Sequence, residues 1–214
     1  MKESKAKSRV LREVRDALIH QTKDTYVNLD FESPIFKEIS ETLDVNFAQE
    51  FGKVSGKFVY CENHEDFLHS LSSLINENNW GNIFCGEQTT LGTLLTKGGI
   101  QYTNEASKFL DQEVGITSCE FLIARTGSIM VSSRQAGGRR SFIYPPIHIV
   151  VAYASQLVPD IKDALKEIQK KYAKLPSLIT TITGPSRTSD IEKTLVMGAH
   201  GPKELYVFLI DALT

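Results

Sequence analysis

The chain has 214 residues, 41% of them apolar and 23% charged, with a formal net charge of −2. A chain of this length buries about 70% of its unfolded surface with no help from disulfides or metals, and its near-neutral balance excludes the broad basic field of a general nucleic-acid binder. Cys61, Cys85 and Cys119 stand far apart with no C-x-x-C pair, so neighbouring thiolates build neither a zinc ribbon nor an iron–sulfur cluster, and buried thiols in a reducing compartment are expected.

The N-terminus has no apolar signal-like core, and no run approaches the ~20 apolar residues of a membrane span, so a cytoplasmic location is expected. Residues 4–19 read as a basic amphipathic helix. Val10, Val14 and Leu18 recur at helical spacing beside Leu11, and Lys5, Lys7, Arg9, Arg12 and Arg15 occupy the other faces. Its narrow apolar stripe suits a surface or a partner. Residues 21–55 read as a long connection with Pro34 and room for one short helix near 35–42. The expected division is therefore an N-terminal helical extension, 1–55, and an α/β domain, 56–214.

Within the domain, strand and helix alternate. Residues 57–61 are a short β-rich run. Residues 65–75 are helical, with Phe67, Leu71 and Leu74 on one face. Residues 82–85 are a second short strand and 87–97 a second helix. This alternation predicts a parallel sheet with crossover helices. Residues 121–124 and 129–131 are either two strands flanking a tight turn at Gly127 or one strand with a bulge there. Residues 147–154 are apolar except for His148, as for a strand covered on both faces. A helix over 160–173 carries Ile161, Leu165 and Ile168, and strands follow at 178–182 and 205–210. The fold class is α/β, an open, largely parallel sheet with flanking helices.

Chemistry-bearing residues gather in loops. Residues 183–192 run Thr183, Gly184, Pro185, Ser186, Arg187, Thr188, Ser189, Asp190, Ile191, Glu192. They follow a strand directly, and open α/β sheets bind ligands beyond the carboxyl ends of their strands. Ser186 and Thr188 offer hydroxyls, Gly184 allows close backbone approach, and the Arg187 fork suits a carboxylate or phosphate. A helix beginning here, N-capped by Thr188 or Ser189, would add free amides. His200 and Gly201 form a second locus within Gly198-Ala199-His200-Gly201-Pro202, where an imidazole between glycines meets solvent or ligand. A third is the arginine-rich loop with Arg134, Arg139 and Arg140 among glycines, leading through Pro145 and Pro146 to His148, which reads as a core histidine before it reads as a ligand. Thr126, Gly127 and Ser128 bring a hydroxyl and backbone amides to a turn. Glu120, in an apolar context, needs a cation such as Arg125 nearby. The histidine and carboxylate spacings make no metal site, and no G-x-G-x-x-G fingerprint favours a nicotinamide cofactor.

Taken in order, Gly115-Ile116-Thr117, 124–128, Pro145-Pro146-Ile147-His148-Ile149, 183–192 and 198–202 resemble the lactate-utilisation (LUD) family, most specifically in the last two blocks. The resemblance covers about 56–212. It implies a fold similar to the sugar-phosphate isomerases and coenzyme A transferases. It also implies the role of the family's small subunit, which works with two iron–sulfur partner proteins in oxidising L-lactate to pyruvate. No cofactor is expected in this chain itself, the clusters belonging to the partners. Arg125 stands where the family commonly has an acidic residue, and Ser128 where Thr is common. A small anionic ligand at the sheet edge is expected, held by Thr126, Gly127, Ser128, Arg140, Pro146, His148, Gly184, Ser186, Arg187, Thr188, His200 and Gly201. The catalytic residues stay unassigned, with Asp190, Glu192 and His200 the candidates. Two alternatives stand beside the subunit role: an enzyme on a sugar phosphate or acyl-coenzyme A, with Asp190 or Glu192 as base, and an interaction module docking through the basic helix.

Overall fold

A computed structural model describes residues 5–19, 38–105, 111–135, 137–188, 196–198 and 200–211. Helix α1 (Lys5–Ile19) belongs to a unit separate from the one that begins at Ile39. Along α1 the apolar stripe of Val10, Val14 and Leu18 is exposed.

In the second unit, β1 (Lys57–Cys61), β2 (Ile83–Cys85), β3 (Val114–Ser118), β6 (Ile147–Tyr153) and β11 (Glu204–Ile210) form one sheet in the order β1-β11-β6-β3-β2. All four pairings are parallel, which confirms the expected α/β class. Helix α3 (His64–Asn78) crosses from β1 to β2, and α4 (Thr90–Lys97) leads from β2 towards β3. Asn63 caps α3 by accepting from the amides of Glu65 and Asp66.

A second sheet lies behind the first. Its order is β7 (Leu157–Val158), β4 (Phe121–Ile123), β5 (Ser128–Ser132) and β8 (Ile179–Ile182). Strands β4 and β5 form a hairpin, one of the two arrangements expected, with Phe121 opposite Met130. The layers follow from period-two alternation. Ile147, Ile149 and Val151 of β6 join Tyr206, Phe208 and Ile210 of β11 under α3 and α4. Val150, Ala152, Leu205, Val207 and Leu209 point the other way and meet Leu122, Ile129 and Val131 of the second sheet. Ile123 and Met130 face outward again onto Ala164 and Ile168 of α5 (Ile161–Lys171). The order of layers is thus helices, parallel sheet, second sheet, helix. Near-continuous apolar runs such as β6 and β11 are what burial on both faces demands.

The range 21–55 holds more structure than a connection. Helix α2 (Leu43–Lys53) buries Phe47 and Phe51, stacked with centroids 5.3 Å apart, in the layer between the sheets. Burying two such rings contributes roughly 3–6 kcal/mol. Helix α2 therefore belongs with the sheets and not with the extension. The short helix expected near 35–42 falls partly outside the described residues. No helix among the described residues is long and apolar enough to cross a membrane. The three cysteines are free and buried. Burial pushes the Cys61 thiol up to about 12 and the Cys85 thiol up to about 11, so neither is a ready nucleophile.

Candidate functional site

The site is built around the carboxyl end of α2. Gly127 is left-handed at φ 56°, and a Cβ there would stand 2.2 Å from the Phe51 amide nitrogen. Only glycine lets the β4–β5 turn close on the helix. Gly184, left-handed at φ 81°, meets the same helix end at the residue that follows it: its Cβ would lie 2.4 Å from the Val54 carbonyl oxygen. The Arg187 guanidinium donates to that same carbonyl. A cation on the last carbonyls of a helix satisfies orphan acceptors and opposes the negative end of its dipole. Arg187 thus has a structural duty beside any ligand, and that contact engages one of the five N–H donors a guanidinium carries.

The two glycine-bearing blocks meet in a short antiparallel ribbon. Strand β9 (Arg187–Thr188) pairs with β10 (Val196–Met197), Arg187 opposite Met197. The Ser186 amide donates to the Pro202 carbonyl at 2.9 Å, and the Gly198 amide donates to the Ser186 carbonyl at 2.9 Å. Gly201 packs on Ser186, where an added Cβ would come within 3.1 Å of the serine Cβ. Arg187 and His200, both exposed, therefore share one surface region. Pro146 joins it, its carbonyl accepting from Lys203 and Glu204 at 2.7 and 3.2 Å. A chain of hydroxyls adds a third wall: Thr126 Oγ1 lies 2.7 Å from Ser128 Oγ, which lies 2.7 Å from Thr183 Oγ1. Ser128 is buried while its two neighbours are exposed, so the chain links two surface hydroxyls through an enclosed one. Such a series offers donors to an anion's oxygens.

Among the described residues, the rim's charge is tilted positive. Glu204 is matched by Lys57, Nζ to Oε2 2.6 Å, and the Lys57 ammonium holds the Glu204 carboxyl below the usual range. Arg187 and Lys203 add cations beside it.

Several expectations need correction. The segment after β8 does not lie beyond the carboxyl end of the parallel sheet. Strand β8 belongs to the second sheet and runs antiparallel to β5. Pro146 and Pro202 lead into the amino ends of β6 and β11, so the rim is at the amino edge. Arg187 and Thr188 form a strand, and the first turn of a helix N-capped by Thr188 or Ser189 would lie outside the described residues. Asp190, Glu192 and Ser189 lie outside the described residues. His148 is sealed in β6, where it faces Thr117 Oγ1 at 2.8 Å. Burial pushes its imidazole down to about 3, and it is a core histidine. Arg140 is exposed on the 3-10 turn Gly138–Phe142, and no hydrogen bond or ion pair joins it to the rim among the described residues. Earlier in the same loop, Gln135 donates to the Ser118 carbonyl at the end of β3. Glu120 does find a cation, but it is Lys171 at 2.8 Å, while Arg125 bonds Asp160 at 2.9 Å. No cluster of three metal-ligating side chains occurs among the described residues. The helix end at Val54 was missed as the centre of the site. Leu43, Phe47, Phe51 and Val54, spaced at four, four and three, were the available signal.

A two-sheet α/β protein with a glycine-lined rim at the amino edge of its parallel sheet is the class these observations define. The family model of the LUD domain matches residues 46–210, and the chain belongs to that family. Proteins called lactate utilization protein C are similar to it. That of Geobacillus thermodenitrificans is 33% identical over 147 residues, 67% of this chain and 58% of that protein. That of Halalkalibacterium halodurans is 35% identical over 103 residues, 46% of this chain and 45% of that protein. That of Bacillus subtilis is 37% identical over 102 residues, 46% of this chain and 42% of that protein. The chain thus spans about half the length of the curated relatives it matches. The crystal structure of a DUF162 family protein from Deinococcus radiodurans superposes with a TM-score of 0.60 at 16% identity, covering 78% of this chain and 96% of that one. At that identity the likeness concerns the fold alone.

Proposed function

We propose that the chain serves lactate utilisation, holding a small carboxylate-bearing ligand on the amino-edge rim while iron–sulfur partner proteins take up the electrons released when L-lactate becomes pyruvate. The reading is supported above all by the convergence of the Gly184–Thr188 and Gly198–Pro202 segments with the Thr126–Ser128 turn at one helix end. Arg187 would supply a planar fork for a carboxylate, and Thr126 and Thr183 the hydroxyl donors for its second oxygen. His200, exposed beside them, would hold or release the proton of the ligand's hydroxyl. The fold would be a relative of the sugar-phosphate isomerase and coenzyme A transferase architecture. Family membership and the names of the curated relatives point to the metabolic setting.

Thermal shift with L-lactate and pyruvate tests the ligand. A ligand at one hundred times its dissociation constant adds about 2.7 kcal/mol of stability, and Thr183→Val should abolish that gain while the unliganded protein keeps most of its melting temperature. Co-purification from native lysate tests the assembly, cluster-bearing proteins being expected in the eluate. Absence of any shift removes the rim as a lactate site. Absence of cluster-bearing proteins, together with normal growth on lactate after gene deletion, removes the metabolic role.

A further inference from the structure

The carboxyl edge of the parallel sheet, where open α/β sheets ordinarily take ligands, holds a second site independent of the rim. A cavity of about 700 Å³ opens there between α3 and α4, bordered by the end of β6. Three separate connections build it. His64 follows β1 at the start of α3, Thr89 and Thr90 follow β2 at the start of α4, and Tyr153 ends β6. His64 Nε2 and the Tyr153 hydroxyl are 3.2 Å apart, and their rings meet edge to face with centroids 5.8 Å apart. That contact bridges two strands separated by β11 and fixes an aromatic corner at the mouth.

The lining selects a chemistry. Leu68 and Leu94 supply half-buried apolar wall. Thr89, Thr90 and Thr93 supply three hydroxyls, each both donor and acceptor. The formal side-chain charges are one Lys97 and one Glu65, so no cluster of cationic side chains is there to hold a polyphosphate. The cavity is a cleft open to solvent on one side, and its volume lies within the roughly 300–1,000 Å³ of small-molecule sites, with room for molecules well beyond a three-carbon acid. We propose that this cavity binds an uncharged, polyhydroxylated ring compound of nucleoside size. The ring lies against the aromatic corner and the leucines, and its hydroxyls exchange hydrogen bonds with the threonines and the Glu65 carboxylate.

Titration calorimetry on the full chain tests the assignment with adenosine and methyl glucoside as probes, and with AMP as the charged counterpart. Saturable one-to-one binding of adenosine or the glucoside is expected, the responding probe telling a nucleoside from a glycoside. Thr93→Trp, which fills the cavity from an exposed helix position, should remove binding without moving the melting temperature. Glu65→Ala should weaken binding roughly tenfold or more, the loss expected for a hydrogen bond to a charged acceptor. No binding of either neutral probe overturns the proposal. So does binding that survives both substitutions unchanged, or AMP binding more tightly than adenosine. None of these outcomes bears on lactate binding at the rim.

Discussion

Glu120, just before β4, is 2% exposed and accepts from Ser132 at 2.5 Å, Lys171 at 2.8 Å and Tyr172 at 2.9 Å. Burial alone would push its carboxyl up, but the three hydrogen bonds and the Lys171 charge together outweigh it and leave the group below its ordinary 4.5. A depressed carboxyl stabilises the fold above its unfolded value, and the contribution is lost as the pH falls through the folded value. Glu120→Gln should therefore cost about 1–3 kcal/mol at neutral pH, read by urea denaturation, because hydrogen bonds to a charge are exchanged for neutral ones and Lys171 retreats to solvent. His148 acts in the same direction from the opposite charge. Its imidazole is held neutral down to about 3 against an ordinary 6.5, so the unfolded chain binds a proton that the folded chain refuses. Stability should decline as the pH drops from 6.5 towards 3, by up to about 1.4 kcal/mol per pH unit from this group. His148→Gln should flatten that slope by one proton in denaturation measured across the range. Unchanged slopes would mean that His148 charges inside the fold. At this scale the sequence showed that Glu120 needed a cation, Arg125 or another, without saying which. Lys171, 51 positions away on α5, could be found only once that helix was laid on the sheet.

Among elements, α2 decides most. It is short and flanked by residues of weak pattern, and its four-residue spacing of Phe47 and Phe51 competes with Asn46, Gln49 and Glu50 for attention. Its stability comes from the layer it enters and not from local propensity. The β4–β5 turn must touch it, so Gly127→Ala should destabilise by roughly 2–3 kcal/mol in chemical denaturation, from a strained left-handed residue and a Cβ in contact with the Phe51 amide. The same change should disturb the Thr126–Ser128–Thr183 hydroxyl chain and weaken ligand binding at the rim. Retained stability would show that the helix end gives way. By contrast, β1, α3, β2, α4, the β4–β5 hairpin, β6, α5, β8 and β11 were all legible from periodicity, because each shows a repeat of two or 3.6 or a continuous apolar run. Strand β3 carries Gly115, Thr117 and Ser118 and lacks the apolar content that marks its neighbours. It is a central strand only because β6 and β2 flank it.

At the scale of the molecule, the unit beginning at Ile39 contains both sheets and their helices. Composition, periodicity and the glycine-bearing blocks determined by themselves the α/β class, most of the elements and the family, because burial pattern and turn chemistry are written locally along the chain. The meeting of 183–188 with 198–202 was foreseen as one rim, and the pairing of β9 with β10 supplies it. Only the tertiary structure decided that this rim lies at the amino edge, that a second sheet backs the first, and that His148 is sealed in the core. Those facts depend on which strands become neighbours, and neighbours remote in sequence are chosen by the packing of whole faces, which no single stretch of residues records.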